Sequence, residues 1–221
     1  MKGTVAVVAA SNRRNSNSAA IGRYLAGKLS AAKVPTRSID VADKGGLVGN
    51  FVPAVELVAG CRHAVLVASL YHDTINYMAT ATQEAWADRA PCGPNGRRPQ
   101  FSAIIHSGYP EPVHTKIALD ICRRFASEVD WTWGGGFTAG ATSTIGGHDL
   151  DSVGPMGRNL RRALELSAQA IAAGNPIPEQ AERAAARAVL PAWLFIPLAN
   201  WAIRREAKRT GTRNIDARPY G

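Results

Sequence analysis

Two arginines sit among hydroxyls and amides in the stretch Ser11-Asn12-Arg13-Arg14-Asn15-Ser16-Asn17-Ser18. An apolar run, Val5 to Val8, precedes it, and Ile21, Leu25 and Leu29 follow at helical spacing. It therefore reads as the turn between a buried strand and a helix. Free N–H groups and the positive dipole end of a helix favour an anion there. Hydroxyls add neutral donors and guanidinium groups add charge in a bidentate form, so a monophosphate fits. Ser and Asn are also ordinary helix caps, and the same composition suits a solvated cap. No G-x-x-x-x-G-K-[ST] or G-x-G-x-x-G occurs, which disfavours a nucleoside triphosphate or a Rossmann dinucleotide site.

Two more turns carry similar chemistry. Ser69-Leu70-Tyr71-His72-Asp73 follows the apolar run Ala64–Ala68, and Ser107-Gly108-Tyr109-Pro110-Glu111 follows Phe101–His106. A flat aromatic ligand needs backbone N–H groups, stacking surface and room to approach. Tyr71 and Tyr109 offer the surface and Gly108 the room. Each turn alone reads equally as an ordinary rim.

The elements that must position these turns alternate along the chain. Strands are expected at 5–8, 35–41, 64–68, 101–106 and 130–137. Helices are expected from Ile21, over 53–60, 74–89 and 158–173, and where Ile117, Ile121 and Phe125 recur every four residues with Ala118 and Cys122 beside them. Pro91 to Gly96 breaks the chain between two of them. Five alternations without an internal repeat imply an α/β fold: a doubly wound, five-stranded parallel sheet in the flavodoxin-like order 2-1-3-4-5, with a C-terminal helical extension. All three polar turns then fall at the carboxyl edge of one sheet. Residues 1–175 form the expected domain and 176–221 the basic extension.

The chain has 221 residues and a net charge of +9. Basicity leans away from an acidic electron shuttle and suits anionic ligands, an acidic partner or a membrane surface. It also raises nucleic-acid binding, but no zinc-finger spacing, RNP-type motif or helix-turn-helix is present, so no nucleic-acid partner is expected. Cys61, Cys92 and Cys122 are scattered, against a metal site or disulfide scaffold and for a reducing, cytoplasmic compartment. Met1-Lys2 leads at once into a strand, with no signal peptide expected. In the extension, Ala184 to Ile203 is nearly all apolar but holds Arg187, Pro191, Pro197 and Asn200, which suit a spanning helix poorly. A helix packed on the domain or on a second subunit is expected. An interfacial helix with Arg204, Arg205, Lys208 and Arg209 at lipid head groups is the alternative.

The turn S-N-R-R-N-S-N-S resembles the S-x-R-x-x-[GS]-[NS]-[ST] phosphate loop of the flavodoxin-like NAD(P)H-dependent FMN reductases. L-Y-H-D resembles their P-x-Y-x segment, with Leu70 in place of the usual proline. S-G-Y-P-E, the stretch Trp131–Gly140, and the tail from Trp201 to Pro219-Tyr220 are similar to a bacterial branch of that family. The resemblance implies FMN, with Ser11, Arg13, Ser16, Asn17 and Ser18 on its phosphate. Leu70, Tyr71, His72, Asp73, Ser107, Gly108, Tyr109 and Pro110 would flank the ring. It implies hydride transfer from NAD(P)H through flavin N5 to a quinone, a flavin or another small acceptor, in a homodimer. His72 and Tyr71 are the candidate catalytic groups, His72 as a proton donor. Arg13, Arg14 and Arg97-Arg98 are candidates for favouring NADPH. His106 is expected to face the core or a neighbouring helix at a strand end, and His148 and Asp149 to border the pocket; His114 and Asp73 are weaker candidates. An FMN electron carrier without its own substrate, or a flavin-free scaffold or membrane-edge protein, are the competing readings.

Overall fold

A computed structural model of the chain describes residues 3–89, 91–93, 96–109, 115–187 and 192–211. The elements run β1 (Val5–Ala10), α1 (Asn17–Ala31), β2 (Thr36–Asp40), α2 (Val52–Val58), β3 (His63–Tyr71), β4 (Thr74–Ile75) and α3 (Tyr77–Arg89). They continue with β5 (Gln100–His106), α4 (Thr115–Glu128), β6 (Thr132–Ala139), α5 (Arg158–Ala173), α6 (Glu179–Ala185) and α7 (Ala192–Arg209).

Five strands form a parallel sheet in the order β2-β1-β3-β5-β6. This is the expected doubly wound order. A sixth strand departs from expectation: β4, two residues long, folds back antiparallel on the end of β3 and pairs Leu70 with Ile75. The helix expected from residue 74 therefore begins at Tyr77. His72 and Asp73 form the two-residue turn, both at positive φ (47° and 62°). That conformation suits a tight hairpin and is uncommon for residues other than glycine.

The central strands β1, β3 and β5 are buried on both faces, as unalternating apolar strands require. Val5 and Val7 of β1 enter one core with Ile21, Leu25, Leu29, Leu164 and Ile171; Ala6, Val8 and Ala10 enter the other with Val58, Trp86 and Phe101. In α4 the buried stripe is Thr115, Ala118, Cys122 and Ala126, while Ile117 is exposed. Ala118 and Cys122, expected beside the Ile117–Ile121–Phe125 recurrence, are fully buried, and Ile121 and Phe125 pack half-buried against the same core. Small residues of α4 face the sheet, and beside them Phe125 reaches the Trp86, Phe101 and Trp131 rings. α6 closes the first core, with Ile177 and Ala181 buried in it and the Ile177 N–H donating to the Gly134 carbonyl at 2.8 Å.

Pro110, Glu111, His114 and the Pro219-Tyr220 terminus lie outside the described residues. Among the described residues, no helix is long and apolar enough to cross a membrane, and no group of His, Cys, Asp and Glu gathers to hold a metal ion.

Candidate functional site

The turn after β1 packs onto the amino end of α1. Ser16 is the cap: its Oγ accepts the Ala19 N–H at 3.1 Å, and its carbonyl accepts the Ala20 N–H at 3.0 Å. The Asn17 and Ser18 N–H groups are left at the helix mouth, as the first turn of any helix requires. Ser11 Oγ accepts the Arg13 N–H at 3.3 Å and curls the loop. Ser11 and Ser16 are buried, yet each hydroxyl keeps its proton to donate. Arg13 is exposed at the rim, whereas Arg14 turns away to Asp43 at 3.5 Å.

The loop after β6 locks this turn in place. Asn17 Nδ2 donates to the Thr142 carbonyl at 2.8 Å, and Asn17 Oδ1 accepts the Gly147 N–H at 2.8 Å. Both ends of the Asn17 amide are thus engaged in holding two loops together. Gly147 sits at φ +77°, and a Cβ there would collide with the Asn15 carbonyl. Only glycine admits so close an approach.

His106 lies beneath. It is buried, as expected, and faces the neighbouring helix α1 through Ser18 and the loop after β6 through Thr142. Thr142 Oγ1 donates to the Ser107 carbonyl at 2.9 Å, so it accepts from His106 Nδ1–H at 3.0 Å. That tautomer, assigned from the bonding pattern, leaves Nε2 an acceptor, and Ser18 Oγ donates to it at 2.8 Å. The Ser18 hydroxyl proton is therefore engaged below the loop, and toward the loop mouth Ser18 offers its backbone N–H. Burial pushes the His106 pKa down to about 4, so the ring is neutral at physiological pH.

A cavity of about 460 Å³ opens over these groups, lined among others by Ser11, Arg13, Ser16, Asn17, Ser18 and His106. A second, of about 600 Å³, is lined by Leu70, Tyr71, His72, Asp73, Ser107, Gly108 and Tyr109. They adjoin through Leu70, Tyr71 and Gly108, which line both. All three sequence-predicted turns thus border one continuous cleft at the carboxyl edge of the sheet. In the third turn the Tyr109 N–H is taken by Ser107 Oγ at 3.1 Å and the Ser107 N–H by the Ala139 carbonyl at 2.8 Å. Tyr71 is 57% and Tyr109 72% exposed, so stacking surface lines the second cavity.

Three further residues belong to the site and escaped the sequence reading. Thr142 and Ser143 line the first cavity from the loop after β6. Asn76 is buried, donates through Nδ2 to the Ala10 and Ser69 carbonyls (3.0 and 3.1 Å), and caps α3 by accepting the Ala79 N–H. It ties the ends of β1 and β3 together beneath the cleft. An Asn one residue before a helix was the available signal. Other candidates fall away. His148 and Asp149 are exposed, and Asp149 pairs with Arg23 at 3.7 Å instead of lining the cleft. Arg97 and Arg98 precede β5 and lie at the amino edge, opposite the cleft, because a parallel strand begins there.

In sequence, no family model and no curated protein matches the chain. Solved structures do match. An NADH:FMN oxidoreductase in its apo form is 19% identical, with a TM-score of 0.52 over 75% of this chain and 89% of that one. The chain has the flavodoxin-like fold. An oxidoreductase from Corynebacterium diphtheriae is similar at 14% identity and a TM-score of 0.51, covering 77% of this chain and 95% of the other. An NAD(P)H:quinone oxidoreductase from Methanothermobacter marburgensis reaches 0.50 at 11% identity, over 77% of this chain and all (100%) of its own. At these identities the likeness concerns the flavodoxin-like fold, whose ligands bind at the carboxyl edge.

Proposed function

We propose that the protein is an FMN-dependent NAD(P)H oxidoreductase acting on a small acceptor such as a quinone or a flavin. The observation that carries this reading is the joined cleft: an anion cradle at a helix mouth opens into a flat slot between tyrosines. The residues present fit FMN. Two hydroxyls (Ser11, Ser16), the Arg13 guanidinium and the N–H groups of Asn17 and Ser18 match a monophosphate in donors and charge. Leu70, Tyr71, His72, Asp73, Ser107, Gly108, Tyr109 and Pro110 are assigned to the ring. The fold neighbours support the reading, since they include an NADH:FMN oxidoreductase and an NAD(P)H:quinone oxidoreductase.

When bound, FMN would supply the redox chemistry, taking a hydride from NAD(P)H and handing electrons to the acceptor. The chain's own part is position and charge. The neutral His106 holds Ser18, and through it the mouth of α1, in one arrangement. Asn17 fixes the opposite wall. Gly108 lines the slot, and its N–H is assigned to the negative charge the reduced ring would carry there. His72 and Tyr71, at the lip of the slot with ring centroids 5.2 Å apart, are the groups assigned to pass a proton to the reduced acceptor. The exposed Tyr71 and Tyr109 line the slot and are assigned as the surface that a second copy of the chain would cover, in a homodimer.

The test is a visible absorption spectrum of the purified protein, with FMN and then NADH or NADPH added anaerobically. The expected result is a bound-flavin band that bleaches with one nicotinamide. Arg13→Ala should weaken FMN about tenfold without unfolding the protein. A protein that takes up no flavin would overturn the reading. Bound flavin that neither nicotinamide reduces would leave a carrier.

A further inference from the structure

α7 stands apart from the rest of the surface. From Ala192 to Ile203 its sequence is apolar except for Asn200; from Arg204 to Arg209 it carries four cations against one carboxylate. Polarity therefore changes along the helix axis rather than around it. At about 100° per residue, Leu198, Ala199, Ala202, Ile203 and Glu206 share one arc. That arc lines an apolar cavity of about 500 Å³ closed on the other side by Ser143, Thr144 and Met156. The helix thus has an inner side. Its outer side is left bare: Trp193, Ile196 and Trp201 point away, and with Leu198 and Ile203 at the margins these side chains are between 47% and 75% exposed. They spread over more than half the circumference, wider than the single stripe that one partner helix covers. Lys208, Arg204 and Arg205 continue the same outer side, and the lone Glu206 lies on the inner arc, paired with Arg209 at 2.7 Å. The Arg205 guanidinium lies 5.4 Å from the Trp201 ring centroid, at the junction of the two zones.

We propose that α7 docks this protein on an anionic membrane surface, with the Trp193–Ile203 segment seated in the acyl boundary and the Arg204–Arg209 end among the head groups. The charge segregation matches that interface, with tryptophan at the boundary and arginine and lysine toward anionic head groups. The apolar segment has the length for seating and not for spanning: about 18 Å of helix, against about 30 Å of hydrocarbon. Asn200 keeps its amide near water in an interfacial helix, whereas a lipid-facing position within a spanning one would leave it unpaired. Ser143 lines both the α7 cavity and the first cavity of the cleft, so docking would set the carboxyl edge of the sheet beside the lipid. This inference stands apart from the flavin reading, because vesicle binding is measured without regard to flavin content.

The test is flotation of the full-length protein with phosphatidylcholine vesicles, with and without phosphatidylglycerol, beside sedimentation velocity of the free protein. Binding is expected to need the anionic lipid and to weaken with salt, with a blue shift of tryptophan emission. Replacing Arg204, Arg205 and Lys208 together by Gln should lower vesicle affinity about 100-fold. The double variant Trp193→Ser/Trp201→Ser should lower it at least about tenfold and abolish the blue shift, with circular dichroism unchanged. Failure to float with anionic vesicles would overturn the proposal, as would equal binding to both vesicle types. A concentration-dependent dimer that dissociates in the tryptophan variant, without vesicle binding, would assign the face to a second copy instead.

Discussion

Two histidines sit at opposite edges of the same sheet, and their surroundings are built alike. His63 opens β3 at the amino edge; His106 closes β5 at the carboxyl edge. Each ring donates to a hydroxyl that in turn donates to a carbonyl: His63 Nε2 to Ser102 (2.9 Å) and on to Gly134, His106 Nδ1 to Thr142 (3.0 Å) and on to Ser107. Burial holds both neutral, pushing His63 down to about 3, with the Arg62 charge adding to it, and His106 to about 4. They differ at the second nitrogen. His63 Nδ1 is buried with no partner, while His106 Nε2 takes the Ser18 hydroxyl under the helix mouth. Burial and a lowered pKa therefore do not mark a functional histidine. What distinguishes the two rings is that the remaining nitrogen of His106 bonds a group that lines the cleft.

The comparison breaks first at substitution. His106→Leu strands the Ser18 hydroxyl and removes the donor to Thr142 in a buried site, and should cost about 3 kcal/mol. It should also weaken FMN at least about tenfold. His63→Leu removes a nitrogen that already lacks a partner and should cost about 1 kcal/mol, with flavin affinity unchanged. Urea unfolding and FMN titration of both variants measure this. Equal losses in the two would dissolve the distinction.

Acid should reveal both rings together. Their folded pKa values lie below the ordinary 6.5, so the unfolded chain binds the extra protons first. Their contribution is complete above about pH 6.5 and is lost as pH falls toward 4 and below, about 2.5 kcal/mol per ring at pH 4.5. Urea midpoints from pH 8 to pH 4.5 should show this fall, and each Leu variant should remove one share of it. A flat profile would contradict the neutral assignment.

The clasp above His106 can be broken separately. Gly147→Ala places a Cβ against the Asn15 carbonyl at positive φ and should cost about 2 kcal/mol. Flavin affinity should fall about tenfold, because Asn17 loses the Gly147 N–H. Retained affinity would show that the wall re-forms without that bond.

Asp40 provides the control on the same edge. It ends β2 outside the cleft, and burial raises its pKa to about 6 against the opposing Ala42 N–H bond. A raised acid favours the folded state below about pH 4 and loses that advantage as pH climbs through 6. Asp40→Asn should therefore stabilise by about 1 kcal/mol at pH 8, after discounting for solvent, and by nothing at pH 4. FMN binding should not move; a changed affinity would extend the cleft to β2.

Much of this was legible in residue order. Val5–Val8, Ala64–Ala68 and Phe101–His106 are continuous apolar runs, and alternation with helical spacing made a parallel, doubly wound sheet the consistent solution. Parallel topology alone put Ser11–Ser18, Ser69–Asp73 and Ser107–Tyr109 at one edge. In α4 the period grouped Ile117, Ile121 and Phe125 with Ala118 and Cys122 beside them, and periodicity could not say that Ile117 is exposed while Ala118, Cys122 and Ala126 are fully buried. The two-residue β4 carries no pattern long enough to register. Tertiary structure alone decided that His106 faces Ser18, that Asn17 spends its amide on the loop at Thr142 and Gly147, and that the outer side of α7 is bare. Each depends on partners dozens of residues away, and hydrogen bonds and cover across such distances follow from packing, to which local composition is blind.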